Sequence, residues 1–180
     1  MNALREGIRS LEPDGGTLAR DSGEAFRRLS ARHVQSAYRL AFAILGDGLE
    51  AEDAAQDAFT SAWRQRATLR DPDRFEAWFG RILVNVCRDR LRKRARIRRL
   101  AGAMEEERHV DPAQATLDRD VLGRALASLD PDFRIVVILR FWTDLPVDGI
   151  AERLGIPAGT VKSRLHSSMR QLRAALEELG

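Results

Sequence analysis

Apolar side chains recur three and four positions apart along most of the chain, which is the spacing that gathers them on one face of an α-helix. The first such series covers residues 26–44 and follows Ser22, a residue type that favours helix N-caps. Gly-Asp-Gly at 46–48 ends this series, and a second one follows at 49–66. The pattern predicts two amphipathic helices separated by a tight turn.

A third amphipathic helix is predicted after a break at residues 70–73. Pro72 disfavours helical backbone at the residue before it, and Asp73 and Glu76 have the spacing of a capping box. The apolar series that follows continues without interruption into an arginine-rich segment that ends at Arg99. One long helix should therefore be apolar in its first half and basic in its second.

The periodicity disappears between residues 100 and 116. This stretch is polar and contains a glycine and a proline, so it is predicted to be a flexible linker. Apolar spacing resumes at residue 117, and Asp130-Pro131 then precedes the nearly continuous apolar run FRIVVILRFW. That run is rich in β-branched residues, but no nearby segment could pair with it in a sheet, and we predict a helix.

These elements predict an all-α protein built from two small helical domains joined by a flexible linker. Residues 1–20 contain glycine and proline and are expected to form a disordered leader. The first helical domain covers residues 21–99, the linker residues 100–116, and the second helical domain residues 117–180. A chain of 180 residues is long enough for two such units.

Charge is unevenly distributed, although the net charge is only +3. Residues 81–99 carry nine cations and one carboxylate, Asp89, whereas residues 47–57 carry five carboxylates and no cation. All cations except Lys93 and Lys162 are arginines, whose planar guanidinium matches phosphates and base edges. A concentrated basic surface is typical of proteins that bind nucleic acid.

The residue types give no support to an enzyme or a metalloprotein. Cys87 is the only cysteine of the sequence, which excludes an internal disulfide and a cysteine-cluster metal site. The three histidines are scattered, and neither a metal-ligand motif nor a glycine-rich phosphate loop is present, so we expect no cofactor and no metal. No apolar window reaches the ~18 residues of a membrane span, which predicts a cytoplasmic protein without membrane insertion.

Residues 147–172 have the pattern of a helix-turn-helix. Ala151, Gly155 and Val161 are spaced by four and six residues, which supplies a small residue at the helix crossing, a glycine in the turn and an apolar anchor in the second helix. Pro157 lies where the second helix would begin. Such a second helix presents its N-terminal face to the major groove of duplex DNA.

The second helix of this motif offers cations and hydroxyls to the groove. The residues placed to read base edges are Lys162, Ser163 and His166. The residues placed to fix phosphates are Thr160, Arg164 and Arg170. For His166, a plain surface position is equally consistent with the sequence.

The long predicted helix at 75–99 combines aromatic and basic residues, as single-strand binders do. Phe75, Trp78 and Phe79 offer surfaces for unstacked bases, and the neighbouring arginines can follow the phosphates. The same spacing is also that of an ordinary helix core, and most of these aromatics are expected to pack inside.

Three runs of the sequence, in chain order, are AEDAAQDAFTSAWRQ, FEAWFGRILVNVCRDRLRKR and LDPDFRIVVILRFWTDLPVDGIAERLGIPAGTVKSRLHSSMRQLR. Together they resemble the extracytoplasmic-function (ECF) sigma factors of bacterial RNA polymerase, in the sigma-70 family, over about residues 21–176. The resemblance implies that the first domain is sigma region 2, that the second is sigma region 4, and that the protein directs promoter-specific transcription initiation. The alternative is a stand-alone helix-turn-helix transcriptional regulator with an effector-binding or dimerisation domain at its N-terminus.

The resemblance also implies roles for particular residues. The clamp of the largest subunit of core polymerase is expected to bind Glu52, Asp53, Gln56 and Asp57. The opened −10 element is expected to contact Arg74, Phe75, Trp78, Arg81, Asn85, Arg88 and Arg92. The duplex −35 element is expected to contact Thr160, Lys162, Ser163, Arg164, His166, Ser167 and Arg170. The flap of the second-largest subunit and an anti-sigma factor are further implied partners.

Two departures from the family pattern concern the helix-turn-helix. Asp148-Gly149 stands where relatives usually have a glutamate, and a glycine inside a helix costs about 1 kcal/mol relative to alanine. Ser167 and Ser168 stand where relatives commonly carry Arg-Ala. The loss of one cation predicts weaker −35 binding, with a salt dependence flatter by about one unit of slope.

Overall fold

The computed structural model describes Leu4, Glu6, residues 17–100 and residues 117–179. From residue 17 onward, this part of the chain forms seven α-helices and no strand. The helices are α1 Thr17–Leu45, α2 Gly48–Arg64, α3 Phe75–Leu100, α4 Leu117–Ser128, α5 Pro131–Phe141, α6 Val147–Leu154 and α7 Ala158–Leu179. The all-α prediction is confirmed.

The predicted linker and most of the predicted leader lie outside the described residues. Within the leader, Leu4 and Glu6 are helical, and Leu4 is completely buried in the main hydrophobic core. Helix α1 begins at Thr17, so Ser22 lies inside the helix and does not cap it. For the other residues of 1–16, the disordered leader stays a prediction.

The turn between α1 and α2 forms where Gly-Asp-Gly predicts it. Gly46 has φ +74°, and its amide donates to the carbonyl of Phe42 at 2.8 Å. The carboxylate of Asp47 accepts a hydrogen bond from the amide of Glu50 at 2.8 Å and so caps α2. A left-handed glycine and an aspartate N-cap thus end one helix and begin the next.

The predicted break before α3 also forms, but with a different cap. Two short 3-10 turns, Arg66–Thr68 and Pro72–Arg74, lead into the helix. The carboxylate of Asp71 accepts a hydrogen bond from the amide of Asp73 at 2.9 Å. Asp71 is therefore the N-cap of the 3-10 turn, and Asp73, which the sequence predicts as the cap of the helix, lies inside that turn.

Helices α1, α2 and α3 pack against one another as the first helical unit. On α2, the completely buried side chains include Ala54, Ala55 and Ala58, whose small size lets the neighbouring helices approach closely. The rings of Phe59 and Phe79 stack with centroids 4.3 Å apart and join α2 to α3.

Helices α4 to α7 form the second unit, in which α7 packs on the other three. The apolar run FRIVVILRFW forms α5, so its prediction as a helix is confirmed. This helix is apolar almost all round because neighbouring helices cover it on more than one side. Ile135, Val136 and Leu139 are all buried.

The two units pack against each other. Helix α3 contacts both α5 and α6, and α1 contacts α5. A single hydrophobic cluster includes Phe59 and Leu83 of the first unit together with Ile135, Ile150 and Val161 of the second. The sequence prediction of two modules on a tether does not include this packing, because an apolar helix face has the same pattern whichever unit covers it.

Candidate nucleic-acid interface

The helix-turn-helix forms at α6 and α7 with the geometry that its sequence predicts. Gly155 has φ +64°, a left-handed conformation that glycine adopts at little cost. The amide of Ile156 donates to the carbonyl of Ala151 at 3.1 Å and closes the turn. Ile150 and Val161 are completely buried and hold the two helices together.

The N-terminal half of α7 presents a basic, hydroxyl-bearing face. The exposed members of the predicted −35 set are Lys162, Ser163, His166 and Arg170. The half-buried members are Thr160, Arg164 and Ser167. All seven lie on one helix, which carries no carboxylate before Glu177, so the face is attractive to a polyanion.

Arg164 and Ser168 connect this helix to α5. The Arg164 guanidinium pairs with the carboxylate of Asp132 at 3.1 Å. The Ser168 hydroxyl is completely buried and donates towards two carbonyl oxygens, that of Arg164 at 2.6 Å and that of Phe133 at 3.2 Å. Of the two serines that depart from the family pattern, Ser168 therefore packs inside the unit, and Ser167 is half-buried.

The predicted −10 surface is built around the beginning of α3 and the 3-10 turn Arg66–Thr68, which contacts it. Trp78 is half-buried, and its indole N–H donates to the hydroxyl of Thr68 at 3.1 Å. The same hydroxyl donates to the carbonyl of Gln65 at 2.8 Å. Sequence reasoning missed Thr68, since its relation to Trp78 exists only once the turn has folded back on α3.

Phe75 is the predicted −10 residue that the structure does not place at the surface. Its side chain is 1% exposed. Its ring centroid lies 5.6 Å from that of Phe79, 5.9 Å from that of Phe26 and 5.0 Å from that of His33. The ring is part of the aromatic core, so Phe75 supports the surface from beneath and offers no face to a base.

The other predicted −10 residues lie along α3 and just before it. Those with exposed side chains are Arg74, Arg81 and Arg92, and those with half-buried side chains are Trp78, Asn85 and Arg88. They are spread over about five turns of one helix face, so they outline a strip along which a strand could run.

The arginine-rich half of α3 has two faces, one that pairs with α2 and one that points away from it. Arg90 pairs with Asp57 of α2 at 2.5 Å, and Arg94 pairs with Glu50 of α2. These two arginines fasten α3 to α2, because residues four apart lie on one side of a helix. Arg92 points away from α2, so the single block of positive charge in the sequence divides into a structural face and an exposed face.

The predicted polymerase-docking residues lie together on α2. Asp53, Gln56 and Asp57 are exposed, and Glu52 is half-buried. Asp57 is also the partner of Arg90, so it contributes to the packing of α2 on α3 as well as to the acidic surface.

Each exposed arginine of the predicted −10 set meets the second unit. Arg74 pairs with Glu152 of α6 at 2.7 Å, and Arg92 pairs with Asp132 of α5 at 3.0 Å. The guanidinium of Arg81 lies beside the helix-turn-helix, 3.1 Å from the position that a Cβ on Gly155 would take. The predicted −10 surface on α3 is therefore contacted by α5, α6 and the turn after α6, whereas Lys162, Ser163 and His166 of α7 remain exposed.

Three further features of the described ranges concern metal ligands, helix hydropathy and the cysteine thiol. Within them, no group of three or more His, Cys, Asp or Glu side chains is arranged to hold a metal ion. None of the helices described there is both long and apolar enough to cross a membrane.

The Cys87 thiol is completely buried, and burial raises its pKa from 9.0 to about 12, with Arg90 opposing the shift.

Two family models match this chain, one over each helical unit. The family described as sigma-70 region 2 matches residues 29–97, and the family described as sigma-70, region 4 matches residues 125–174. The ECF RNA polymerase sigma factor SigL of Mycobacterium tuberculosis is 35% identical over 91% of this chain and 98% of its own length. The corresponding values for SigW of Bacillus subtilis are 29%, 87% and 91%.

Two solved structures have a similar fold. The sigma factor RpoE of Bartonella quintana, in complex with the anti-sigma factor NepR, has a TM-score of 0.68 and 27% identity, and the match covers 84% of this chain and 96% of RpoE. CnrH, in complex with the cytosolic domain of CnrY, has a TM-score of 0.60 and 26% identity over 98% of both chains. The likeness extends over both helical units and the helix-turn-helix, and the chain belongs to the ECF sigma factors of the sigma-70 family.

Proposed function

We propose that this protein confers promoter selectivity on bacterial RNA polymerase by binding two promoter elements with two structurally different surfaces. The observation that supports this most strongly is the pair of basic surfaces on separate units, one on a helix-turn-helix and one on α3 beside a hydrogen-bonded turn. Duplex DNA and separated strands require such different surfaces, since the first offers a groove and the second offers bare bases.

The −35 element would be read by α7 in the major groove. Lys162, Ser163 and His166 would meet base edges, and Arg170 would fix the phosphate backbone. Arg164 would join them once it is released from Asp132. Ser167 would approach the DNA phosphates without adding a charge. The −35 element would therefore be bound more weakly than by a relative with an arginine at this position.

The opened −10 strand would run along α3. Trp78 and the turn before it would shelter a flipped base, Asn85 would support it, and Arg74, Arg81 and Arg92 would follow the phosphates. Unstacking one base costs a few kcal/mol, so a pocket of modest affinity is enough to hold the strand open.

Core polymerase would bind both helical units. The acidic face of α2, with Asp53 and Gln56 at its exposed centre, would dock on the clamp of the largest subunit, and the second unit would meet the flap of the second-largest subunit. An anti-sigma factor is a further proposed partner, because the similar RpoE was solved in complex with the anti-sigma factor NepR. The protein would act in the cytoplasm, where it would assist polymerase without catalysing a reaction.

The proposal is tested by mapping transcript 5′ ends after core polymerase and this protein are added to genomic DNA of the source bacterium. A shared set of start sites is expected, with common −10 and −35 sequences upstream. Asn85→Ala should reduce strand opening at these promoters more than closed-complex formation, whereas Gln35→Ala, which removes an exposed amide from α1, should change neither.

The upstream contact has its own test. Lys162→Ala should lower transcription from promoters that depend on the −35 element, and Arg173→Ala, which removes an exposed cation further along α7, should have a smaller effect. Unchanged −35 preference in Lys162→Ala would reject the assignment of α7. Specific binding of the free protein to duplex DNA would favour the stand-alone regulator instead.

A further inference from the structure

We propose that helix α1 carries a further nucleic-acid site, in which Arg28 and Arg32 bind phosphates of the opened strand between the flipped base and the transcription start site. That the ligand is this strand rests on the proposed function. That the site binds a single-stranded polyanion rests on the charge, the exposure and the position of α1 in the fold.

The exposed face of α1 is basic. Residues 25–46 contain four arginines and no carboxylate. Arg28 and Arg32 are both exposed and, being four residues apart, they lie on one side of the helix, about 6 Å from each other along its axis. Glu24, which is also exposed, lies one turn before Arg28, on the far side from Arg32. Two adjacent guanidinium groups offer the planar, permanently charged donors that phosphates bind.

The same two turns of α1 pack against the beginning of α3. The ring centroids of Phe26 and His33 lie 5.9 Å and 5.0 Å from that of Phe75. Phe75 in turn lies 5.9 Å from Trp78, the residue proposed to shelter the flipped base. The two arginines fall between Phe26 and His33 in the sequence. They therefore lie on the outer side of the helical segment whose inner side supports the −10 surface.

His33 lies between the two surfaces. Its side chain is half-buried and touches Phase-inward aromatic packing through Phe75, and it directly follows the exposed Arg32. An α-helix with its side chains is ~10–12 Å across, so the α1 cations are about one helix diameter from the Phe75 ring. A strand that leaves the −10 surface at this end crosses such a distance in a few nucleotides.

The strand can leave Trp78 in two directions. In one direction it follows the arginine-rich half of α3 and rejoins the duplex that carries the −35 element. In the other it passes the first 3-10 turn and α1, which packs on α3. Arg66 of that turn is already engaged, since its guanidinium lies 3.9 Å from the ring centroid of Trp63 and donates to the Trp63 carbonyl at 2.8 Å. The exposed arginines of α1 are the next cations on the way to the start site.

The first experiment measures single-strand binding by the full chain. The anisotropy of a labelled oligo(dT) of about 20 nucleotides is followed at several NaCl concentrations, because phosphate contacts carry no base specificity. Each phosphate contact on a single strand adds about 0.7 to the log–log salt slope, so Arg28→Gln combined with Arg32→Gln should flatten the slope by about 1.4. Arg28→Lys combined with Arg32→Lys keeps both charges and should restore it.

A matched control lies on the same helix. Arg39→Gln removes an exposed cation about 10 Å beyond Arg32 and should leave the slope nearly unchanged. An unchanged slope in the glutamine double variant would overturn the proposal. An equal flattening by Arg39→Gln would also overturn it, because the effect would then belong to the charge of the whole helix.

The second experiment places the site on the strand. Core polymerase with this protein binds forked DNA from a mapped promoter, and the opened strand is shortened stepwise from its downstream end. The glutamine double variant should bind the longest fork about fivefold more weakly, the effect of two solvent-exposed charge contacts. The difference should vanish once the strand ends at the flipped base. A difference that persists on the shortest fork would contradict the placement.

Binding to core polymerase without DNA separates a strand from a protein partner. The glutamine double variant should bind as the unaltered chain does. Weaker binding would mean that the two arginines meet an acidic protein surface, and it would overturn the strand contact.

The outcomes also separate this site from the proposed function. A chain whose oligo(dT) slope responds as expected, but which never binds core polymerase, would support the α1 site and refute the proposed function. Specific initiation with an unchanged slope and unchanged fork binding in the double variant would overturn the α1 site alone.

Discussion

The indole nitrogen of Trp78 and the hydroxyl oxygen of Thr68 are 3.1 Å apart, and they join the beginning of α3 to the 3-10 turn Arg66–Thr68. The hydroxyl also donates to the carbonyl of Gln65 at 2.8 Å, so it accepts one hydrogen bond and donates another. A valine has the same shape but can do neither. Thr68 therefore acts as a positioning residue for the surface proposed to hold the opened strand.

Replacing Thr68 with valine should weaken promoter opening without unfolding the protein. A lost hydrogen bond of about 1 kcal/mol corresponds to roughly a fivefold lower yield of open complexes. The yield is measured by permanganate reactivity of unpaired thymines near the start site. Thr68→Ser keeps the hydroxyl and should restore opening, and equal yields for the valine and serine variants would contradict the positioning role.

Gly149 in α6 and Gly155 in the turn should respond in opposite ways to alanine. A Cβ at Gly149 would meet Pro146 at 3.4 Å, which is ordinary contact, so Gly149→Ala should raise the free energy of unfolding by about 1 kcal/mol through helix propensity. Gly155 has φ +64°, and Gly155→Ala should lower it by about 1–2 kcal/mol because alanine is strained there. Urea titrations measure both, and a loss of stability in Gly149→Ala would contradict the packing around α6.

Ser167 and Ser168 should also differ sharply. Ser167→Arg adds a cation at the face of α7 and should steepen the salt dependence of duplex binding by about 0.9 in log–log slope, measured by fluorescence anisotropy with a mixed-sequence 20-base-pair probe. Ser168→Arg forces a charge into a completely buried position and should lower the melting temperature instead. A folded, tighter-binding Ser168→Arg variant would show that the register of α7 differs from the structure.

Cys87 supplies a pH-dependent prediction. Its pKa is raised to about 12 in the folded protein by burial, while an exposed thiol ionises near 9.0. Below pH 9 the thiol is neutral in both states. Between pH 9 and 12 the unfolded chain alone loses the proton, so the free energy of unfolding falls as pH rises.

Two measurements check this behaviour. The native thiol should react with a disulfide reagent at pH 8 only as fast as the protein unfolds, and at once in urea. Cys87→Ala should remove part of the stability loss above pH 9. A native thiol that reacts at the rate of a free one would contradict its burial.

The local elements could be predicted from the sequence because each has its own chemical signal. Gly46 and Asp47 end one helix and begin another, and Gly155 marks the turn of the helix-turn-helix. These signals act over a few residues, so periodicity and residue type were sufficient. The sequence predicts a cap at Asp73, whereas Asp71 caps the 3-10 turn; the two flank the same proline, and only the folded turn shows which carboxylate reaches an amide.

The relations across the chain could not be predicted from pattern alone. Arg90 and Arg92 are both cations in one basic run, yet Arg90 faces Asp57 and Arg92 faces Asp132, since the direction of each depends on which helices lie beside α3. The resemblance predicts Phe75 at the DNA surface. It lies in the core because α1 packs over that side of α3. Helical spacing identifies a face, but it does not say which partner covers it.

The measurement that tests the central claim most directly is the binding of the purified chain to core RNA polymerase, followed by size-exclusion chromatography and by anisotropy of a labelled chain. We expect a one-to-one complex that initiates at specific promoters. Asp53→Arg, in the exposed acidic face of α2, should weaken it at least tenfold, and Glu24→Arg, an exposed position on α1, should not. A chain that is folded but forms no complex with core polymerase would contradict the account.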